Sequence, residues 1–219
     1  MNPLDILFQG QNFARLMQGL GVTLYIAAVS SALSVLFGII FGFILRSKNR
    51  LIKALSRGYL EFFRIMPQLV LLFILYYELS SSISADTASI IVFTLWGSAE
   101  MGDLVRGAIQ NVPKAYTEAG NALGLNRLQL GWFIILPATV RSLVPVSINL
   151  ITRIIKTTSI VPLIGVVEVL KVGQQIVDFN RIAFPTASIG VYGLIFVLYF
   201  IACWPLSLLS GYLQKRIRT

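Results

Sequence analysis

Apolar positions in this chain run in long blocks and do not alternate with polar ones. From Leu20 to Leu45 there are 26 residues without a charge, more than the roughly 20 a helix needs to cross a hydrocarbon core about 30 Å thick. Comparable blocks follow at about Gly58–Leu79, Ala88–Val112, Leu130–Ile155 and Ala187–Leu213. The pattern predicts an all-α integral membrane protein with five transmembrane helices. Within the first block, Ser34, Gly38 and Gly42 recur every four residues, a ladder of small side chains that lets a neighbouring helix approach closely in lipid. Residues 1–18 mix apolar and polar positions and are expected to form an interfacial segment ahead of a transmembrane domain, residues 19–219. The stretch ITRIIKTTSIVPLIGVVEVL, residues 151–170, is too polar and too rich in Pro and Gly for a continuous span. It predicts a half-buried turn followed by a short helix. Pro67 and Pro145 are expected to kink or break their helices, because proline lacks the amide that the preceding turn would receive.

Composition excludes a water-soluble domain: 56% of the residues are hydrophobic, 12% are charged, and the mean hydropathy is +0.80. The net charge of +9 is not a nucleic-acid footprint, since the cations stand in short loops beside apolar spans, where they set orientation. Five of them, Arg46, Lys48, Arg50, Lys53 and Arg57, fall within twelve residues, and Lys215, Arg216 and Arg218 close the last span. Both groups predict the cytoplasmic side, and Ser80–Thr87, without lysine or arginine, predicts the outside. The implied topology is N-out, C-in. Asp5 and the absence of a basic start predict that the first span is not a cleaved signal. A lone Cys203 and no histidine offer neither a disulfide nor a metal-ligand spacing.

One polar stretch between the third and fourth spans reads as helix, turn, helix. Residues 117–123 are short and helical in character, Gly124 breaks them, and Asn126 with Gln129 has the spacing of an N-cap and capping box. The run Glu118-Ala119-Gly120, three residues, Gly124, nine residues, then Ile134-x-Leu136-Pro137 resembles the EAA loop of permease subunits in ABC importers. Gly120 stands where the third alanine is usual; six other fixed positions over twenty residues match. The resemblance implies a cytoplasmic coupling helix in which Glu118, Ala119, Gly120 and Gly124 dock on a separate ATPase subunit. No GxxxxGK followed by Ser or Thr is present, so ATP and Mg are expected on that partner, with no cofactor in this chain and no enzymatic site of its own. The further partners implied are a second permease subunit, identical or homologous, an extracytoplasmic substrate-binding protein and membrane lipid. The location implied is a prokaryotic inner membrane.

Other stretches resemble the polar amino-acid branch of that family, the histidine, glutamine, glutamate and arginine type. YLEFFRIMPQLVLLF is similar to its YxExFRGTPxLVQ stretch, with Ile65 and Met66 at the Gly and Thr positions. Residues 151–170 resemble its xLxKDTSLxxxIGxxEL segment, with Thr157 in place of aspartate and Arg153 where a neutral residue is frequent. Glu61 and Arg64, and Asp103 and Arg106, are each three apart and are expected to pair along their helices. Glu100 replaces a common aromatic residue, about 12 residues and hence roughly 18 Å from the cytoplasmic end of its helix. Charges at that depth mark a pathway or a pair. The candidate substrate site is therefore Glu100 for an ammonium, Arg153 or Lys156 for a carboxylate, and Thr158 or Ser159 for the polar part of an amino acid. The alternatives are that Arg153 and Lys156 merely snorkel to the interface and that Glu100 neutralises Arg153 across the helices. An importer for another small solute, such as an osmolyte or a hydrophobic amino acid, or an energy-independent channel or scaffold, are the other functions weighed.

Overall fold

The computed structural model describes residues 5–79, 82–182 and 185–218. Ser80 and Ser81 of the predicted external loop, and residues 1–4 of the predicted interfacial segment, lie outside them. The described residues form helices and turns without a strand. The helices are α1 (Asn12–Ile44), α2 (Arg50–Ile65), α3 (Gln68–Leu79), α4 (Ala85–Gln110), α5 (Lys114–Ala122), α6 (Arg127–Leu130), α7 (Leu136–Thr157), α8 (Val169–Asn180) and α9 (Ala187–Arg218). Four stretches among these residues are long and apolar enough to cross a membrane: α1, α4, Arg127–Ile164 and Ala187–Ile217. A fifth exists if α2 and α3 count as one broken span, bent by 101°. The break has a local cause. Pro67 offers no amide, and it holds Met66 in extended backbone, φ −67° and ψ 131°.

Pro145, expected to interrupt its span, lies inside an unbroken α7. Hydroxyls along this stretch take up backbone acceptors: Ser142 donates to Thr139 O at 2.9 Å and Ser147 to Leu143 O at 2.9 Å, while the carbonyl of Pro145 accepts from Ser210 at 2.9 Å. The acceptor that Pro145 leaves without a backbone donor is Arg141 O, and these three bonds fasten its neighbours without reaching it. Residues 151–170 follow expectation: α7 ends at Thr157, a tighter 3₁₀ turn covers Thr158–Ile164, Gly165 turns the chain at φ +95°, and α8 begins after Glu168.

The chain divides into two compact units. The first holds residues 1–31, 67–93 and 151–205. One of its cores packs Ile6, Leu7 and Leu16 with Val169, Val172 and Ile176 of α8 and Val191 and Ile195 of α9. Another packs Ile26, Leu72, Val92 and Phe93 around Val161, Ile164 and Val166. The second unit holds residues 32–66, 94–150 and 206–219. Here the predicted small-residue ladder has its partner: a Cβ on Gly42 would lie 2.6 Å from Val105 Cβ and 3.0 Å from Gly102 O, and one on Gly38 would run into the Met101 side chain. Gly102 in turn is closed by the ring of Phe41. Leu45, Leu60 and Ala99 are buried beside this crossing, and Tyr59 reaches from α2 to Leu95 O and Ser98 Oγ of α4, each at 2.9 Å.

Candidate functional site

The loop singled out from the sequence forms by two successive caps. At the end of α5, Leu125 N donates to Gly120 O at 3.1 Å and Gly124 N to Asn121 O at 3.0 Å. This is a Schellman closure with Gly124 at the left-handed position, φ +78°. Asn126 then opens α6 with the expected capping box: Gln129 N donates to Asn126 Oδ1 at 2.9 Å, and Asn126 N to Gln129 Oε1 at 2.9 Å. Gly120, the departure from the usual alanine, is buried, and the place of a methyl there is taken by Leu130 Cδ1 and by Ile134 Cδ1, at 2.7 Å. Glu118 and Ala119 are exposed, and among the described residues Glu118 has no hydrogen bond or ion pair. The loop therefore holds its shape without the glutamate and presents it outward, flanked by exposed Tyr116, Leu123 and Leu128.

Acidic and basic groups of the second unit converge nearby on α2 and α4. Arg64 Nε lies 3.5 Å from Glu100 Oε1, and Arg64 Nη1 lies 3.2 Å from Asp103 Oδ2. Arg106 Nε donates to Asp103 Oδ1 at 3.0 Å and its Nη1 to Gln110 at 3.1 Å. The Asp103–Arg106 pair is as expected. The Glu61–Arg64 pair is not: Arg64 turns to two carboxylates on α4, a stronger field than the single exposed carboxylate one turn back on its own helix.

The other candidates, Arg153, Lys156, Thr158 and Ser159, belong to the first unit. Arg153 and Lys156 are exposed and three residues apart at the end of α7, on one face as predicted. Thr158 is fully buried and donates to Ile155 O at 2.7 Å; Ser159 donates to Lys156 O at 2.9 Å. Glu100 thus lies in one unit and the cationic group in the other.

Sequence reasoning missed a polar centre in the first unit. Glu168 is completely buried. Its Oε1 accepts the Lys171 amide at 2.9 Å, capping α8, and its Oε2 lies 3.0 Å from Thr23 Oγ1 and accepts Tyr199 OH at 3.3 Å. Gly19 makes the approach possible, because a Cβ there would fall 2.9 Å from the Val169 backbone. Burial raises the Glu168 carboxyl above the usual range, while the Leu170 and Lys171 amides, Thr23 and Tyr199 pull the other way. The signal was the glutamate of the IGxxEL match, which a one-residue reading gives no partner. Among the described residues no group of three His, Cys, Asp or Glu side chains could hold a metal.

Comparison with known proteins bears on the whole chain. Residues 34–219 match the family described as "Binding-protein-dependent transport system inner membrane component". The chain is 32% identical to the probable amino-acid permease protein YxeN of Bacillus subtilis (strain 168), covering 91% of this chain and 92% of that one. It is 27% identical to the glutamine transport system permease protein GlnP of Escherichia coli (strain K12), over 93% of each. Among solved structures, an amino acid ABC transporter crystallised with histidines superposes with a TM-score of 0.85 at 24% identity, covering 99% of this chain and all of that one. The inward-facing MetNI methionine ABC transporter gives 0.69 at 19% identity, covering 94% and 97%.

Proposed function

Since the chain belongs to the inner membrane components of binding-protein-dependent transport systems, we propose that it is a permease subunit lining the path of a polar amino acid through an ATP-driven importer. The observation that carries this reading is the doubly capped α5–α6 loop, a rigid knob with an exposed Glu118 and apolar flanks. Such a knob transmits motion only if it does not deform. Closure of two partner ATPase subunits, which hold ATP and Mg, would displace the knob and reorient the spans between outward- and inward-open states. The names of the relatives support an amino acid as cargo. In this reading α2 and α3 together make the fifth span, the amino terminus faces outward, the loops after α1 and α4 face a prokaryotic cytoplasm, and a second permease and an external binding protein complete the assembly.

Glu100 is assigned the substrate ammonium, Arg153 or Lys156 the carboxylate, and Thr158 or Ser159 the polar part, each charge-assisted contact being worth roughly 1.5–3 kcal/mol. The ion pair of Glu100 with Arg64 is the alternative use of that carboxylate. The test is reconstitution of the complex in liposomes, with uptake and ATPase activity measured against glutamine, glutamate, arginine, methionine and an osmolyte. Stimulation by a polar amino acid is expected; stimulation by the osmolyte or methionine alone moves the cargo to another solute, and copurification without any ATPase rejects the importer. Glu100→Gln should raise the concentration for half-maximal uptake with little change in basal ATPase. Full rescue by the swap Glu100→Arg with Arg64→Glu would instead make Glu100 structural.

A further inference from the structure

Within the second unit a cleft of about 480 Å³ opens between the end of α1, the end of α4 and the start of α7, a size ordinary for small-molecule sites. Its walls are apolar, from residues such as Phe43, Ile109, Trp132 and Leu143, and two cations, Arg46 and Arg127, line it with them. Chain order explains the arrangement: α1 and α4 run to the same end, α7 starts there, and the basic loop 46–57 and the α6 turn carry the cations. Among the described residues neither the Arg46 nor the Arg127 guanidinium has an ion pair or hydrogen bond. Arg46 also lines a second cavity of about 500 Å³, where Lys53, Arg57, Arg64 and Arg106 face only Glu61 and Asp103. An apolar slot in span segments, bordered by unneutralised arginines and opening onto a region of net positive charge, is complementary to one amphiphile.

We propose that this cleft binds an anionic glycerophospholipid, with one acyl chain along Phe43, Ile109 and Leu143 and the phosphate between Arg46 and Arg127. The slot is made of span ends, so acyl chains are its ambient solvent; the planar guanidinium forks supply the paired donors that a phosphodiester accepts. A zwitterionic lipid brings its own cation to the same place and gains less. The lipid is thereby held beside Leu128 and Trp132, directly after the capped loop.

Trp132 lines the cleft and provides the readout. The full chain with Trp96→Phe and Trp204→Phe, leaving Trp132 alone, is placed in phosphatidylcholine nanodiscs containing a small share of phosphatidylglycerol or phosphatidylcholine with brominated chains. Brominated phosphatidylglycerol should quench Trp132 at roughly tenfold lower mole fraction than brominated phosphatidylcholine. Arg46→Gln with Arg127→Gln should erase that preference, and Arg57→Gln, one of the neighbouring cations outside the cleft, should keep it. Gly131→Leu gives a second route: Gly131 lines the cleft in right-handed helical backbone, φ −59° and ψ −51°, and a Cβ there meets nothing within 4 Å. A folded Gly131→Leu protein should lose quenching by both lipids. Equal quenching by the two lipids, a preference that survives the double arginine change, or its equal loss with Arg57→Gln would overturn the proposal. So would loss of quenching on assembly with the ATPase partner or a second copy, which would make the cleft a protein interface.

Discussion

Glu168 and Asp103 are both carboxylates in a chain that is 56% hydrophobic, and they are held by opposite means. Glu168, fully buried, is met by backbone amides of α8 and two hydroxyls, with no cation paired to it among the described residues. Asp103, partly exposed, is met by two guanidinium groups on the wall of an open cavity. Neutral donors around a desolvated oxygen give a local joint that depends on every member, because any partner left behind is buried without water. Arginines around a solvated oxygen share a field that water and salt can replace. The first is a fixture of its unit; the second can exchange partners.

Removing each carboxylate should separate the two most clearly. Glu168→Ala strands Thr23, Tyr199 and the Lys171 amide, and is expected to lower stability by about 3 kcal/mol, whereas Asp103→Asn should cost less than about 1 kcal/mol because its partners reach solvent. Thermal unfolding in detergent compares them, and equal losses would break the contrast. Next come two left-handed glycines from different units: Gly165→Val and Gly124→Val should each cost about 1–2 kcal/mol. Only Gly124→Val should abolish uptake while ATPase docking weakens; normal uptake would remove the loop from the coupling route.

A smaller effect is the pH response. The folded pKa of Glu168 is raised by burial, so its contribution is fully present below the unfolded carboxyl value and is lost as pH rises through the folded one. Unfolding temperature should fall over that window in the natural protein and stay flatter in Glu168→Gln. The smallest effect is expected from Gly120→Ala. Its methyl crowds the flexible ends of Leu130 and Ile134, and a loss under about 1 kcal/mol with uptake retained would show that the family's usual alanine fits after a side-chain shift.

Much of the architecture was readable because its causes are local or periodic. Apolar block length found the long helices, Pro67 marked the break, and the Asn126–Gln129 spacing gave a capping box seen in both directions. Pro145 misled because the stretch around it is fastened by contacts the local sequence does not show, among them Ser210, 65 residues away, which donates to the Pro145 carbonyl. Arg64 misled for the same reason: its helical neighbour Glu61 was visible in sequence, and its partners across to α4 were not. Of the candidate site, the loop was legible down to its caps, but Glu118 has no internal partner, which a motif alone could not tell. Glu168 stayed hidden because its value comes from Thr23, 145 residues upstream, and from Tyr199.

The glycine notch between α1 and α4 has a consequence for biosynthesis. Gly38 and Gly42 leave the ribosome about 60 residues before Gly102, so at about 5–20 residues per second α1 waits roughly 3–12 s in the bilayer before the surface that fills its notch has been made. During that interval α2 and α3 emerge, and the notch is lined by lipid tails that must leave when Met101, Gly102 and Val105 arrive. Assembly of this unit is then timed by translation across the α2–α3 segment, and lengthening that segment should prolong the lifetime of an unpartnered first helix.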